Sequence, residues 1–369
     1  MAMGTETKLY IAVGVLAVLG GALYLNSTKK KAEAESYTQA GRAAELPPLA
    51  FTDDDTKKID KIVLEKGADE DGGAGSEFEL TKTGDEWKLT KPVAYKANQA
   101  NVKSLLDALK RLKTSEQIST NKDQYDKFGV ADGKGMHVVL YEGGKVKADL
   151  RFGEGGTRGQ MARIGDKEGV YSVKGYSSFT FDRDAKGWRD LGILKFDEKD
   201  VESVELTNEH GEYTFAKDGD KWTAKYKKPK ALGAGKIDDF DSAKVGDLLR
   251  AFKNLNAADF GDGKKLTDIG LEPPKGQLTV KLKEGKATYV ISVGDKADGT
   301  NVWTKVNGDD QIYQISSWAA DWITAEPSKF SSKKDEKDKG AAPPGGMPGG
   351  MPGGIDLSGL GGGHDDEGE

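Results

Sequence analysis

His137, His210 and His364 are the only imidazoles in the 369-residue chain, and it has no cysteine. Without thiolates there is no disulfide, no zinc–thiolate or iron–sulfur site, no cysteine nucleophile and no lipidated cysteine. Three scattered imidazoles do not make a multi-histidine metal site. His137 stands just ahead of an expected strand, with Glu142 nearby in sequence, and His210 sits in a His-Gly turn. Neither has serine and aspartate at the spacing of a nucleophilic triad. The run from Gly153 through Gly155, Gly156 and Arg158 to Gly159 has the glycine density of a phosphate loop. It lacks the Gly-Lys-Ser/Thr ending and the third glycine of a dinucleotide fingerprint, so it reads as a hairpin turn. Asp69-Glu70-Asp71-Gly72 opens like a calcium loop, but the fifth position is Gly73 and the twelfth Leu80, so the ligand set fails. No catalytic, cofactor-binding or metal-binding residue is assigned. The positions singled out for interaction are apolar. Trp318 and Trp322 lie four apart on a short expected helix and read as core edge or as interface. Ile355, Leu357 and Leu360 form an island in the C-terminal tail that reads as a docking motif or as plain tail.

The elements around these residues are more legible. The formal net charge of −6 argues against a dedicated nucleic-acid binder. Leu9 to Leu25 is an uncharged apolar run of 17 residues, flanked by Lys8 and by Lys29-Lys30-Lys31, with Tyr10 and Tyr24 near its ends. As a helix it reaches about 26 Å, enough for a short membrane span. A cleaved signal peptide is the rival reading; the run is long for one, and no Ala-x-Ala site closes it. The lysines after the span favour a cytoplasmic C-terminal part, a rule that weakens for long translocated domains.

Beyond the span the sequence repeats itself. Phe78-Glu-Leu80 with Gly84-Asp-Glu-Trp87 matches Tyr213-Thr-Phe215 with Gly219-Asp-Lys-Trp222. Ile59, Ile62 and Leu64 match Val201, Val204 and Leu206 ahead of them. Two amphipathic helices follow, Val102–Leu112 and Val245–Leu255, each with one apolar stripe at steps of three and four. Phe128-Gly129-Val130 then matches Ile269-Gly270-Leu271, and Val138-x-Leu140 matches Val280-x-Leu282, which gives His137 the counterpart Thr279. Leu150-x-Phe152-Gly153 matches Ile291-x-Val293-Gly294, and Met161–Tyr171 matches Trp303–Tyr313. Each copy reads as a three-strand meander, one helix and four more strands. The expected fold is α+β: two tandem copies of an antiparallel-sheet module with one covering helix each, preceded by a single transmembrane helix.

From Ser331 the chain turns to Gly, Pro, Met and charge, with four Lys against eight Asp and Glu and 12 of the 49 Gly. That composition implies disorder. The expected organisation is an anchor at 1–28, a linker at 29–55, modules at 56–180 and 201–330 joined by 181–200, and the tail at 331–369.

The pieces Gly84–Trp87, Asn98–Leu112, Phe128–Val130, Ile269–Pro274, Val170–Val173 and Trp188–Phe196 together resemble the bacterial domain-of-unknown-function family numbered 4340. The resemblance spans about residues 55–325. It implies a membrane-anchored envelope protein with extracytoplasmic modules, often found beside ABC-transporter subunits of the gliding-motility type. It brings no catalytic residues and no cofactor. The expected function is therefore non-enzymatic: an accessory protein at the bacterial inner membrane, single-pass, that binds an ABC permease or its substrate. The alternative is a module that binds envelope polymer, peptide or glycan through its sheet faces or the cleft between modules.

Overall fold

The structure, a computed structural model, describes residues 5–40, 46–68, 74–229 and 235–332, without the side chains of 5–17 and 36–40. The Asp69–Gly72 loop, His364 and the tail positions Ile355, Leu357 and Leu360 lie outside the described residues.

Helix α1 (Thr5–Ala40) leads the chain. It contains the expected span, whose residues 9–17 lack described side chains, and it runs on through Lys29–Lys31 without a break. The expected linker therefore begins as helix, because Lys, Ala and Glu propagate a helix as readily as Leu. Among the described residues no helix is long and apolar enough to cross a membrane. Glu33 reaches Lys127 at 2.5 Å, and Leu49 is buried with Leu46 and Phe51 packed near it. The short helix α2 (Asp53–Lys58) follows, with Thr52 and Asp55 forming a reciprocal capping box. Three acidic residues in its first turn complement the helix dipole.

The first sheet is built from β1 (Lys61–Lys66), β2 (Ser76–Thr83), β3 (Glu86–Lys91) and the short β4 (Tyr95–Lys96), then helix α3 (Gln99–Leu109) and β5 (Lys113–Ser119). It continues with β6 (Met136–Glu142), β7 (Lys145–Gly156), β8 (Gly159–Ile164) and β9 (Val170–Lys174). The order across the sheet is β4-β3-β2-β1-β6-β7-β8-β9-β5. Helix α3 carries the chain from one edge to the other. Asn98 caps it, and Val102, Leu105, Ala108 and Leu109 form its buried stripe. That stripe meets Ile62, Leu64, Leu80, Val138, Leu140 and Leu150 in one core. Leu112, expected to end the helix, falls beyond it.

Two short helices, α4 (Ser178–Phe181) and α5 (Ala185–Trp188), and strand β10 (Gly192–Lys195) lead onward. The second large sheet begins with β11 (Val201–Asn208), β12 (Gly211–Asp218) and β13 (Lys221–Lys227). Helix α6 (Ala243–Phe252) follows, then β14 (Asn254–Asn256), which pairs with β10 in a separate two-stranded sheet, and β15 (Asp259–Phe260), an edge of the large sheet. It ends with β16 (Gly276–Leu282), β17 (Thr288–Lys296), β18 (Asn301–Val306), β19 (Ile312–Ser316) and helix α7 (Ser317–Ile323). Its order, β13-β12-β11-β16-β17-β18-β19-β15, repeats that of the first sheet without the β4 edge. The protein is thus a mixed α+β structure with large antiparallel sheets and few helices.

Pairing register corrects one detail of the sequence match. Val138 lies opposite Leu64, whereas Leu278 lies opposite Leu206. Val138 therefore corresponds to Leu278, and His137 to Gln277, not Thr279. A two-residue slip keeps every side chain on its face, so the alternating pattern could not detect it.

Candidate functional site

Helix α3 covers one face of the first sheet, and alternation sends the intervening residues to the other. Register sets Glu65 beside His137, His137 beside Arg151 and Arg151 beside Arg163 in one row across β1, β6, β7 and β8. His137 Nδ1 lies 2.8 Å from Glu65 Oε2, and Nε2 lies 2.9 Å from Asp149 Oδ1. The sequence had pointed to Glu142, which instead pairs with Lys147 at 3.3 Å. The hydrogen bond to Asp149, helped by Glu65 and opposed by burial, raises the His137 pKa. The same bond lowers that of Asp149. Arg163 reaches Asp132 at 2.5 Å, and its hydrogen bond lowers that carboxyl. Arg151 is buried, and its Nη1 donates to the Lys134 carbonyl.

The arrangement gathers charge around one imidazole. The carboxylates lie on opposite sides of the imidazole ring, so they do not converge on one point. Among the described residues no group of three or more His, Asp or Glu gathers as a metal site. In the second sheet the corresponding residues are Thr207, Gln277, Val290 and Ser292, with Gln277 Nε2 donating to Ser292 Oγ at 3.2 Å. The fold therefore forms without the ion cluster.

A second constellation joins the two sheets. Arg189, on the connection, is 1 % exposed. Its guanidinium lies 4.4 Å from the ring centroid of Phe260 and 5.6 Å from that of Tyr95. Asp262 pairs with it at 2.8 Å. Tyr95 Oη and Tyr313 Oη are 2.9 Å apart, and Tyr313 donates to Asp309 at 2.5 Å. Burial, then Asp309 and Tyr95, raise the Tyr313 pKa. The connection is stitched on both sides. Asn98 N donates to the Trp188 carbonyl and Asp190 N to Lys96, while Ala257 N donates to Leu191 and β10 pairs with β14.

Two cavities open in the first module. One, of about 680 Å³, lies at the ends of β1, β6 and β7, beside the Lys66–Asp182 pair at 3.1 Å and the Lys134–Asp126 pair at 2.8 Å. The other, of about 530 Å³, lies beside β5 and has Ile118, Phe128 and Met161 in its wall.

Of the residues singled out in sequence, Trp318 is 48 % exposed, while Trp322 is 8 % exposed and packs on Phe330. Of the two, Trp318 alone is open to a partner. The glycine run is a two-residue hairpin, with Gly156 paired to Gly159 and φ of 127° at Gly159. Gly153 lies against the main chain of Phe128 and Gly129, as Gly294 lies against Ile269 and Gly270. His210 belongs to a turn, where its N–H donates to Asn208 Oδ1 and its carbonyl accepts from Tyr226 Oη. Sequence reading missed the Glu65–His137–Asp149 cluster and the Arg189 joint. Alternation could have placed Glu65 and His137 on the open face, but only register makes them neighbours.

Fold and site together define a protein of two large antiparallel sheets held by a built joint. The chain belongs to the DUF4340 family, described as a domain of unknown function, whose model matches residues 87–274 and 241–335. Neither the curated proteins nor the solved structures include a match.

Proposed function

We propose that the protein is a membrane-tethered, non-enzymatic scaffold that docks on a membrane partner of the ABC-permease class at the bacterial inner membrane. The observation that carries this reading is the joint at Arg189. It holds two sheets in one arrangement while polar side chains such as Glu65, Asp149, Thr207 and Gln277 stay exposed beside the loop that crosses each open face, which suits presentation of a surface more than processing of a substrate. The tether is supported by Val18, Leu19, Leu23, Tyr24 and Leu25 of α1, all exposed in the isolated chain and 54–72 % accessible. Such a run calls for lipid or another apolar partner. The family resemblance favours extracytoplasmic modules. The aromatic residues at the joint pack on one another instead of lining a groove. That weighs against a polymer- or glycan-binding cleft between the modules.

The test is purification from detergent-solubilised membranes. Co-elution with a permease subunit is expected, and recovery as a free monomer under mild conditions would sink the reading. A reporter fused after Phe330 should report an extracytoplasmic location.

A further inference from the structure

Helix α7 buries Ala319, Ala320, Trp322 and Ile323 against the second sheet. Trp318 lies off that stripe and is 48 % exposed. Among the described residues its ring meets no other ring and its N–H has no acceptor. The duplication shows an aromatic residue at this place with partners. Ala162 lies opposite Tyr171 as Thr304 lies opposite Tyr313, so Val173 matches Ile315. Three residues on stand Tyr176 and Trp318. Tyr176 stacks on Phe152 and Phe181, with ring centroids 4.4 and 5.1 Å away. Phe152 lies opposite Met136 as Val293 lies opposite Gly276, so the second module has Val293 in place of the stacking ring.

The chain leaves the second module close by. Trp322 follows Trp318 by one helical turn, Phe330 packs on Trp322 with ring centroids 5.9 Å apart, and Ser331 pairs with Phe240. Residues 333–369 therefore begin roughly 20 Å from the Trp318 ring. Their only branched aliphatic side chains are Ile355, Leu357 and Leu360. The 22 residues between Ser332 and Ile355 have, as a Gly-rich coil, an r.m.s. reach of about 26 Å. Reach matches span, the condition for the highest effective concentration. Lys329, whose ammonium lies 4.9 Å from the Trp322 ring centroid, offers a cation beside the site for Asp356. We propose that the segment Ile355–Leu360 of the same chain docks on the Trp318 indole and caps the α7 residue that is otherwise open to a partner. A Kd on the order of 1 mM suffices, since a tether supplies an effective concentration on the order of mM. The inference goes beyond the partner-docking reading, because the contact needs no second molecule.

The chain has no cysteine, so Ser358→Cys gives a single site for a nitroxide. Full-length protein with that label and 5-fluorotryptophan is observed in detergent by ¹⁹F NMR, with the Trp318 signal assigned through Trp318→Phe. The signal should lose about half its intensity or more, and regain it when the nitroxide is reduced. Adding Ile355→Ser, Leu357→Ser and Leu360→Ser to the labelled chain keeps the tether and removes the apolar contact. The loss at Trp318 should then shrink at least twofold. These substitutions lie outside the folded modules, so a change at Trp318 is not a folding effect. Equal broadening with and without the three serines would overturn the proposal, as mere tethering explains it. Equal broadening of all six tryptophan signals would do the same. So would broadening in a mixture of nitroxide-only and fluorine-only chains, which assigns the site to a second copy. None of these outcomes depends on permease co-purification.

Discussion

At the scale of single residues, His137 has the most to say because its counterpart does the same structural work without charge. The imidazole bridges Glu65 and Asp149, and its folded pKa is raised. A group raised on folding contributes fully below its unfolded pKa, about 6.5. That contribution fades as pH climbs through the folded value. Asp149, lowered on folding, sets the acid side: its share is present above the unfolded carboxylate pKa, about 3.9, and falls away below it. His137→Gln, the second module's choice, should thus cost most between about pH 4 and 6.5 and little near pH 9. Both carboxylates are about half exposed. The expected cost is therefore about 1 kcal/mol, below the charged hydrogen-bond range. Urea titrations at pH 5.5 and 9 check the sign. An imidazole NMR titration with its midpoint below 6.5 would refute the bridged state.

At the scale of elements, glycine positions separate packing from ligand binding. Gly153 and Gly294 each touch main chain of the loop that crosses their sheet. Main chain fills the space that a Cβ would need at these two positions, so the glycines there serve packing. Gly156, in the same glycine-rich run, would bring an added Cβ within 4 Å of nothing. Gly153→Ala should therefore cost about 1–3 kcal/mol by overpacking against backbone. Gly156→Ala should stay within about 0.5 kcal/mol. Equal effects in denaturant titrations would argue that the run is not divided this way. The helices teach a related lesson. The apolar stripe Val102–Leu112 continues past the end of α3, and Val245–Leu255 past α6, because Leu112 and Leu255 still face the core from the following segment. Periodicity reports the buried side; the hydrogen-bonding pattern ends sooner.

At the scale of the whole molecule, the joint decides whether the two modules behave as one. Arg189 Nε and Nη2 donate no hydrogen bond among the described residues, so the guanidinium relies on its ion pair with Asp262 and on the faces of Phe260 and Tyr95. Removing Asp262 strands a buried charge, whereas removing Arg189 leaves a carboxylate that water can reach, since Asp262 is 39 % exposed. Asp262→Ala should then cost more, about 3 kcal/mol, than Arg189→Met. Calorimetry should show one unfolding transition in the wild type and two in Asp262→Ala, as the modules uncouple. A single, uniformly lowered transition would mean that the joint is not what couples them.

Much of the element order was present in the sequence, because burial on one face imposes a period of two on strands and near 3.6 on helices. Two matching series of such periods announced two matching sheets, and the lack of cysteine and the scatter of histidines bounded the chemistry. The edge strands β4, β5 and β15 and the short β14 escaped notice: two or three residues carry no period, and burial along the seven residues of β5 does not alternate. The pairing of His137 with Glu65 and Asp149 needed inter-strand register, which a two-residue slip leaves invisible to pattern. The Arg189 joint needed the packing of one sheet against another, where residues far apart in the chain, Arg189 and Asp262, become an ion pair. Local patterning is written in neighbours along the chain; electrostatic partners are chosen across it, and only the tertiary structure brings them within reach.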